Sequence, residues 1–190
     1  MSGEGVAAIL LAAGRSRRFG GSDKLLAPLR GVPLVLHAAE AITRLNCDRR
    51  IAVCGSEAVA DLLTTQDFQV VRTEAKDAPM SRSLALGIAE AIKANAAAAL
   101  VCLGDMPFVT QAHLNFLLRR RRDTLAAIVA TSNDGVPMPP AVFDRSCFAA
   151  LMALHGDHGA RAMLAGAECV GAPSGILRDI DTQADLDALG

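Results

Sequence analysis

A short segment near the start of the chain combines glycines with basic side chains and has the composition of an anion-binding loop. It runs from Gly14 to Lys24 and contains three glycines, two serines, three arginines and one lysine. Glycines let the backbone turn sharply and present its N–H groups, and the cations add the positive charge that a polyphosphate requires. The segment has neither the Gly-Lys-Ser/Thr of a Walker A loop nor a GxGxxG fingerprint. It favours nucleotide or phosphate binding over a merely flexible surface loop, and does not by itself define the reaction.

A candidate metal ligand, Asp105, stands just past an apolar run in the segment Gly104-Asp105-Met106-Pro107. An aspartate at the end of a buried strand can hold a divalent cation over the edge of a sheet, and Gly104 permits close approach of the backbone. An aspartate in this place can also serve as a helix cap, but Thr110 is available downstream for that role. We therefore expect Asp105 to face a ligand.

Two further carboxylates lie near the end of the sequence, where Asp179 and Asp181 flank Ile180. Alternation places both acids on one face of an extended segment, so either could supply a second carboxylate to a cation. Asp181 is the stronger candidate and Asp179 the weaker one. An equally good interpretation is that Asp181 or Thr182 caps the last helix.

The elements that position these residues alternate between short apolar runs and longer segments of helical period. The apolar runs lack polar alternation, which is typical of parallel strands that are covered on both faces. We expect strands at Val6–Leu11, Ile51–Cys54, Val70–Val71, Ala98–Leu103 and Ala127–Ala130. We expect helices at Leu34–Leu45, Ser56–Leu63, Ser81–Asn95 and Thr110–Arg122, with Ser56, Ser81 and Thr110 as N-caps. The alternation predicts an α/β sheet with ligands beyond the carboxyl ends of its strands.

The overall composition sets limits on the class of protein. The chain has 190 residues, of which 52% are hydrophobic and 21% charged, so we expect one folded domain over residues 1–190. Nineteen basic side chains against twenty acidic ones give a formal charge of −1. No global field therefore attracts the chain to nucleic acid or to an anionic membrane.

The cysteines and the N-terminal sequence indicate the compartment. The five cysteines are widely spaced and form no CxxC pair, which indicates free thiols in a reducing cytoplasm rather than a disulfide framework or a zinc site. The apolar run Val6–Ala13 is far shorter than the roughly 20 residues that a membrane-spanning helix needs. We therefore expect a cytoplasmic protein.

The motifs resemble those of a known family when they are taken together. Leu11-Ala12-Ala13-Gly14-x-Ser16-x-Arg18-x-Gly20, then Lys24 and Gly31-x-Pro33-Leu34, is similar to the signature of the MobA-like nucleotidyltransferases. From about Val6 to the C-terminus the chain resembles the molybdenum cofactor cytidylyltransferases of that superfamily. The resemblance implies a Rossmann-like three-layer sandwich with a mainly parallel sheet, of the nucleotide-diphospho-sugar transferase type.

The same resemblance implies roles for individual residues. Arg18 and Lys24 would neutralise the phosphates as pyrophosphate leaves, and Asp105 would hold Mg²⁺, with Asp181 as its second ligand. Asp157 and Arg161, in the Gly-Asp-x-Gly-Ala-Arg element, would bind the acceptor. The nucleotide would be bound by the first loop and by residues at two later helix and strand ends: Leu11, Ala12, Ala13, Gly14, Arg15, Ser16, Gly20, Lys24, Ser81, Ser83, Leu84 and Gly104. Capping of a helix is an equally good interpretation of the two serines.

The reaction that the resemblance implies is transfer of a cytidylyl group from CTP to the terminal phosphate of the molybdopterin or molybdenum cofactor. Ala12-Ala13-Gly14 resembles the cytidylyl branch, whereas guanylyl enzymes usually have Ala-Gly-Gly. A molybdenum hydroxylase or a cofactor-insertion chaperone would be the protein partner. The alternatives are transfer from GTP, transfer to a sugar phosphate or methylerythritol phosphate, and a nucleotide-sensing carrier without turnover.

Overall fold

The apolar runs of the sequence form the central strands of a sheet. The computed structural model of the chain describes residues 5–14, 19, 23–73, 79–156 and 161–189. Its strands, in chain order, are β1 (Val6–Ala12), β2 (Pro28–Leu29), β3 (Val32–Pro33), β4 (Arg49–Cys54), β5 (Gln69–Arg72), β6 (Ala98–Leu103), β7 (Ile128–Asn133), β8 (Val136–Asp144) and β9 (Glu168–Gly171). Within the described residues, seven of them form one sheet in the order β5-β4-β1-β6-β8-β7-β9, and β2 pairs with β3 as a small hairpin.

The sheet is mainly parallel, as the sequence predicts. β1 pairs in parallel with β4 and β6, and β5 and β9 pair in parallel with β4 and β7. In β1 the side chains of Val6, Ala8 and Leu10 enter one apolar cluster, and those of Ala7 and Ile9 enter another on the opposite face. Burial on both faces is the reason why this strand shows no polar alternation.

Helices cover both faces and complete the three layers. They are α1 (Leu34–Thr43), α2 (Glu57–Thr64), α3 (Met80–Lys93), α4 (Gln111–Thr124), α5 (Phe148–Met152), α6 (Arg161–Leu164) and α7 (Gln183–Asp187). The first cluster receives buried side chains of α1, α2 and α4, and the second receives those of α3 and α5. In the part of the chain that the structure describes, no helix is long and apolar enough to cross a membrane.

Two of the three predicted N-caps are confirmed. Ser56 Oγ accepts a hydrogen bond from the Val59 N–H, and Thr110 Oγ accepts one from the His113 N–H. The prediction for Ser81 is wrong, because α3 begins one residue earlier and its N-cap is Pro79. Pro79 has a fixed φ of −64°, which is compatible with the start of a helix, and no side chain caps α3. Ser81 lies inside the helix and is buried.

β8 is a strand that the sequence does not predict. It carries Pro137, Pro139 and Pro140, which interrupt any strand pattern, and it is antiparallel to both β6 and β7. Ala130 of β7 pairs with Ala141, but the next residue, Thr131, pairs with Met138. Pro139 and Pro140 therefore stand outside the ladder as a bulge.

Gly87 in α3 offers a test of the packing between this helix and β1. A Cβ on Gly87 would lie 2.6 Å from Ile9 Cγ2, below any normal contact distance. We expect Gly87→Ala to lower the free energy of unfolding by about 1–3 kcal/mol, although alanine is the better helix former. Urea denaturation measures this, with Gly166→Ala as the control because its added methyl group meets nothing within 4 Å. A Gly87→Ala protein as stable as the wild type would contradict the close packing.

Candidate active site

Three segments that are remote in sequence meet at the ammonium group of Lys24. Lys24 Nζ donates one hydrogen bond to Asp105 Oδ2 at 2.7 Å and another to Asp181 Oδ1 at 2.9 Å. Lys24 is only 5% exposed, so its charge is largely withdrawn from water. Three of the residues that the sequence singles out for chemistry are therefore brought together by direct contact.

Lys24 is held in place by a residue that the sequence analysis missed. It opens a 3₁₀ turn, Lys24–Leu26, whose N-cap is Asp23, and the Leu25 N–H donates to Asp23 Oδ1 at 3.1 Å. The other oxygen of Asp23, Oδ2, accepts a hydrogen bond of 2.7 Å from Ser56 Oγ. Asp23 thus ties the lysine to the loop that follows β4. The available signal was an aspartate directly before the lysine, in a position suited to capping.

Asp105 is positioned by the end of β6 and by its contact with β1. The Gly104 N–H donates to the Leu11 carbonyl at 2.9 Å, and a Cβ on Gly104 would lie 3.3 Å from that oxygen. Since Thr110 caps α4, the carboxylate of Asp105 is not used as the cap and faces Lys24 instead. The expectation that Thr110 rather than Asp105 caps the helix is confirmed, and the role of Asp105 as a metal ligand stays a prediction.

Asp181 reaches the site because its neighbour is anchored in a third apolar cluster. Ile180 is completely buried there with Phe19, Leu29, Leu34 and Leu186, and its N–H donates to the Asp105 carbonyl at 3.1 Å. The cap of α7 is Thr182, which forms a reciprocal capping box with Asp185. Of the two candidate caps, Thr182 is therefore the one used, and the Asp181 side chain contacts Lys24.

The carboxylates control the charge on Lys24. Burial alone would lower the pKa of its ammonium group, but Asp105 and Asp181 outweigh burial and hold that pKa above 10.5. Asp179 belongs to the same neighbourhood. Burial raises the pKa of its carboxyl group, and the negative charges of Asp181 and Asp105 raise it further. The site therefore combines a permanent cation with a surplus of acidic groups.

The two carboxylates suit a divalent cation when a substrate completes the coordination. Lys24 Nζ occupies the point on which Asp105 Oδ2 and Asp181 Oδ1 converge, at 2.7 and 2.9 Å, so a metal ion would have to lie beside the ammonium group. Carboxylate oxygens are the donors that Mg²⁺ and Mn²⁺ prefer. Among the described residues, no group of three or more His, Cys, Asp or Glu side chains is arranged to hold a metal ion. Oxygens from a phosphate would have to supply the remaining ligands, as they do in many Mg²⁺ sites.

The first loop is described at its two ends and at Phe19. The Gly55 N–H donates to the Ala12 carbonyl at 3.3 Å, and a Cβ on Gly55 would lie 3.2 Å from Ala13 Cα. Gly14 follows, and no described residue lies within 4 Å of a Cβ placed on it. Four predicted residues of this loop and one acceptor residue lie outside the described part of the chain: Arg15, Ser16, Arg18, Gly20 and Asp157. The described portion shows a close approach of β1 and the loop after β4.

An apolar cavity of about 390 Å³ has Leu11 of β1 in its lining. Leu84 of α3 and Leu103 of β6 line it, and so do residues of the β8 bulge. Arg161, a predicted acceptor residue, supplies the one charged side chain among the described residues of the lining. Ser81 and Ser83 are buried in α3 and do not line this cavity. The site thus has a charged part around Lys24 and an apolar part beside it.

The fold and this arrangement define a class of protein, the nucleotidyltransferases with the nucleotide-diphospho-sugar transferase fold. Residues 8–171 match the MobA-like NTP transferase domain, and the chain belongs to that family. The prediction of the family and of the fold is confirmed.

Individual relatives cover most of the chain. It is 28% identical over 194 residues to the purine catabolism protein PucB of Bacillus subtilis (strain 168), which covers 94% of this chain and 93% of the relative. It is 32% identical over 144 residues to a probable molybdenum cofactor guanylyltransferase of Haloferax mediterranei, and this match covers 75% of this chain and 67% of the relative. The crystal structure of Rv0371c from Mycobacterium tuberculosis H37Rv in complex with manganese superimposes with a TM-score of 0.78 at 27% identity, covering 97% of each chain.

Replacement of Lys24 by an uncharged side chain tests the ion cluster. Lys24→Met leaves Asp105 and Asp181 facing each other without a cation between them. We expect the free energy of unfolding to fall by about 1–3 kcal/mol. The loss is smaller than for a fully buried ion pair because the Asp181 side chain is partly exposed to solvent. Asp105→Asn added to Lys24→Met should restore part of the loss by removing the repulsion. The exposed Lys93→Met is the matched control, with an expected effect below about 0.5 kcal/mol.

The pH dependence of this cluster has a defined sign. Because the pKa of Lys24 is raised in the folded protein, its contribution to stability is present below pH 10.5 and is lost only as the pH rises through the folded-state value. The difference between wild type and Lys24→Met should therefore stay constant between about pH 7 and pH 10. A difference that disappears within that range, measured by urea denaturation, would contradict the assignment.

Proposed function

We propose that the chain transfers a cytidylyl group from CTP to the terminal phosphate of the molybdenum cofactor, with release of pyrophosphate, in the cytoplasm. The observation that supports this most is the contact of Lys24 with Asp105 and Asp181 at the ends of β1 and β6, where ligands of α/β sheets bind. A buried cation and two converging carboxylates suit the stabilisation of phosphates and a metal ion during phosphoryl chemistry.

In the proposed reaction an oxygen of the acceptor phosphate attacks the α-phosphorus of the nucleotide. A new P–O bond forms, the bond between the α-phosphorus and the bridging oxygen breaks, and pyrophosphate leaves with the electron pair of that bond. Lys24, together with Arg18, would neutralise the charge that develops on the leaving phosphates. A divalent cation held by Asp105 and Asp181 would supply further charge neutralisation. The protein otherwise acts by orienting two anions, since no covalent nucleophile is needed.

The apolar cavity supports a flat acceptor over a sugar phosphate or methylerythritol phosphate. Its lining includes Met80, Leu84, Met138 and Phe143, which would leave sugar hydroxyls without hydrogen-bond partners. A pterin has two flat faces that such side chains can cover, and Arg161 can pair with a phosphate. Asp157, which lies outside the described residues, would bind the acceptor as well. A molybdenum hydroxylase, or a chaperone that inserts its cofactor, would receive the product.

The preference for CTP rests on Ala13. Its methyl group and the close approach of Gly55 leave less room beside this loop than a glycine at position 13 would. A smaller base site favours a pyrimidine over a purine. Transfer from GTP is the second candidate, and the relatives whose names specify guanylyltransferase favour it.

The decisive experiment is pyrophosphate release with magnesium and purified molybdenum cofactor, with CTP, GTP, ATP and UTP supplied in parallel. We expect release with CTP and little with the other three. Release with GTP alone would overturn the cytidylyl assignment and retain the reaction. Absence of release with all four nucleotides, together with tight nucleotide binding, would favour another acceptor or a carrier without turnover.

Asp105 is the residue whose loss should affect turnover most. We expect Asp105→Ala to lower the rate of pyrophosphate release by about a hundredfold or more, because the metal and Lys24 lose a shared partner. The fold should remain, as judged by circular dichroism and a single unfolding transition. Asp123→Asn, an exposed change at the end of α4, is the control and should keep full activity. Turnover of Asp105→Ala close to that of the wild type would remove Asp105 from the mechanism.

A further inference from the structure

A buried polar group lies away from the Lys24 cluster and has no part in the reaction described above. His113 Nε2 and Thr131 Oγ1 are 2.9 Å apart, and Thr131 Oγ1 donates to the Pro140 carbonyl at 2.8 Å. Thr131 is completely buried and His113 is 5% exposed. Because the single hydroxyl proton of Thr131 goes to Pro140, the hydroxyl oxygen accepts from His113, which therefore carries its proton on Nε2. Burial lowers the pKa of His113, which favours the neutral ring.

This group joins three elements at the place where the sheet is irregular. His113 lies in the first turn of α4, where its backbone N–H is held by the cap Thr110. Thr131 lies on β7 at the break in register, directly opposite the bulge of β8. Proline has no N–H, so Pro139 and Pro140 cannot be fixed by donating to a neighbouring strand. The hydroxyl of Thr131 instead holds the bulge by its carbonyl.

The bulge is also a wall of the apolar cavity. Pro139 of the bulge lines the cavity together with Pro137 and Met138, as do Leu84 of α3 and Arg161 of α6, whereas Pro140 stands behind Pro139 in the chain and does not line it. A shift of this segment would change the width of the cavity without moving Lys24, Asp105 or Asp181, which are held by other elements. The hydrogen bond from the Thr131 hydroxyl to the Pro140 carbonyl therefore affects the shape of the cavity.

We propose that His113 and Thr131 are positioning residues that hold the Pro139–Pro140 bulge where it walls the cavity, and that they thereby set the affinity for the flat apolar part of the acceptor. The identification of the ligand as the acceptor rests on the proposed function, whereas the shape of the cavity does not. Neither residue contacts the reacting phosphates in this proposal. Both act through the backbone of β8.

The test compares variants that remove the hydrogen bonds with variants that retain them. Thr131→Val keeps the shape of the side chain but loses the hydroxyl, and Thr131→Ser keeps the hydroxyl. His113→Leu loses the donor, and His113→Gln places an amide N–H near the position of Nε2. Two readouts are needed, the kinetic constants for both substrates and the binding of a probe that does not depend on turnover.

The probe is 8-anilinonaphthalene-1-sulfonate, an aromatic anion whose apolar rings and single negative charge suit an apolar cavity with one arginine. We expect Thr131→Val and His113→Leu to weaken its binding about tenfold, and Thr131→Ser and His113→Gln to bind it within a factor of about two of the wild type. Val136→Asp, at the exposed rim of the cavity, should weaken binding by repelling the sulfonate. Unchanged or stronger dye binding by Thr131→Val, in an assay where Val136→Asp weakens it, would overturn the proposal.

The kinetic readout separates positioning from a general loss of structure. In Thr131→Val the KM for molybdenum cofactor should rise about tenfold, while the KM for CTP and kcat stay near those of the wild type. An equal loss for both substrates, or a serine variant as impaired as the valine variant, would overturn the positioning role. If the wild type releases no pyrophosphate, the proposed function fails, and the dye measurements still decide the role of His113 and Thr131.

Discussion

The rest of the site depends on the contact of one buried ammonium group with two carboxylates. Lys24 cannot lie in the interior without compensation, because removal of a charge from water costs several kcal/mol unless it is paired. Asp105 and Asp181 provide the pairing, and they come from segments 81 and 157 residues away. The electrostatic requirement of one side chain therefore fixes the relative positions of the first loop, the end of β6 and the C-terminal segment.

The C-terminal segment can meet this requirement because of its apolar residue. Ile180 is buried in the cluster that also contains Phe19 and Leu34, so hydrophobic burial fixes the backbone between the two aspartates. Thr182 and Asp185 then satisfy the start of α7 by themselves. Because these two residues cap the helix, the Asp181 side chain is not needed as a cap and pairs with Lys24. The same holds after β6, where Thr110 caps α4 and Asp105 accepts a hydrogen bond from Lys24.

The sequence predicted most of the sheet, since burial on both faces gives β1, β4 and β6 continuous apolar runs that are easy to recognise. It failed for β8, where three prolines hide a strand whose pairing is decided by its neighbours β6 and β7. It failed for Ser81 because the start of α3 depends on the fixed φ of Pro79 rather than on a side-chain cap. The motif residues Lys24, Asp105 and Asp181 were identified, but the contact of both aspartates with Lys24 was not, because ion pairing between distant segments leaves no periodic signal. Asp23 was missed for a different reason: its capping position directly before Lys24 is visible in the sequence, but its contact with Ser56 is not.

The charged and apolar parts of the site share β1 and β6 but otherwise use different elements, so a change outside these two strands can alter one part alone. Lys24, Asp105 and Asp181 are held by the 3₁₀ turn, the end of β6 and the segment before α7, whereas the rest of the cavity lining comes from α3, α6 and β8. β1 lies between them, and the hydrogen bond from Gly104 to Leu11 fixes the boundary. Charge stabilisation on one side of that boundary needs the same geometry for any nucleotide and phosphate, because the reacting groups are the same. A change in the cavity alone would alter the acceptor without disturbing the phosphates, so substrate choice in this fold can change without a change in the chemistry.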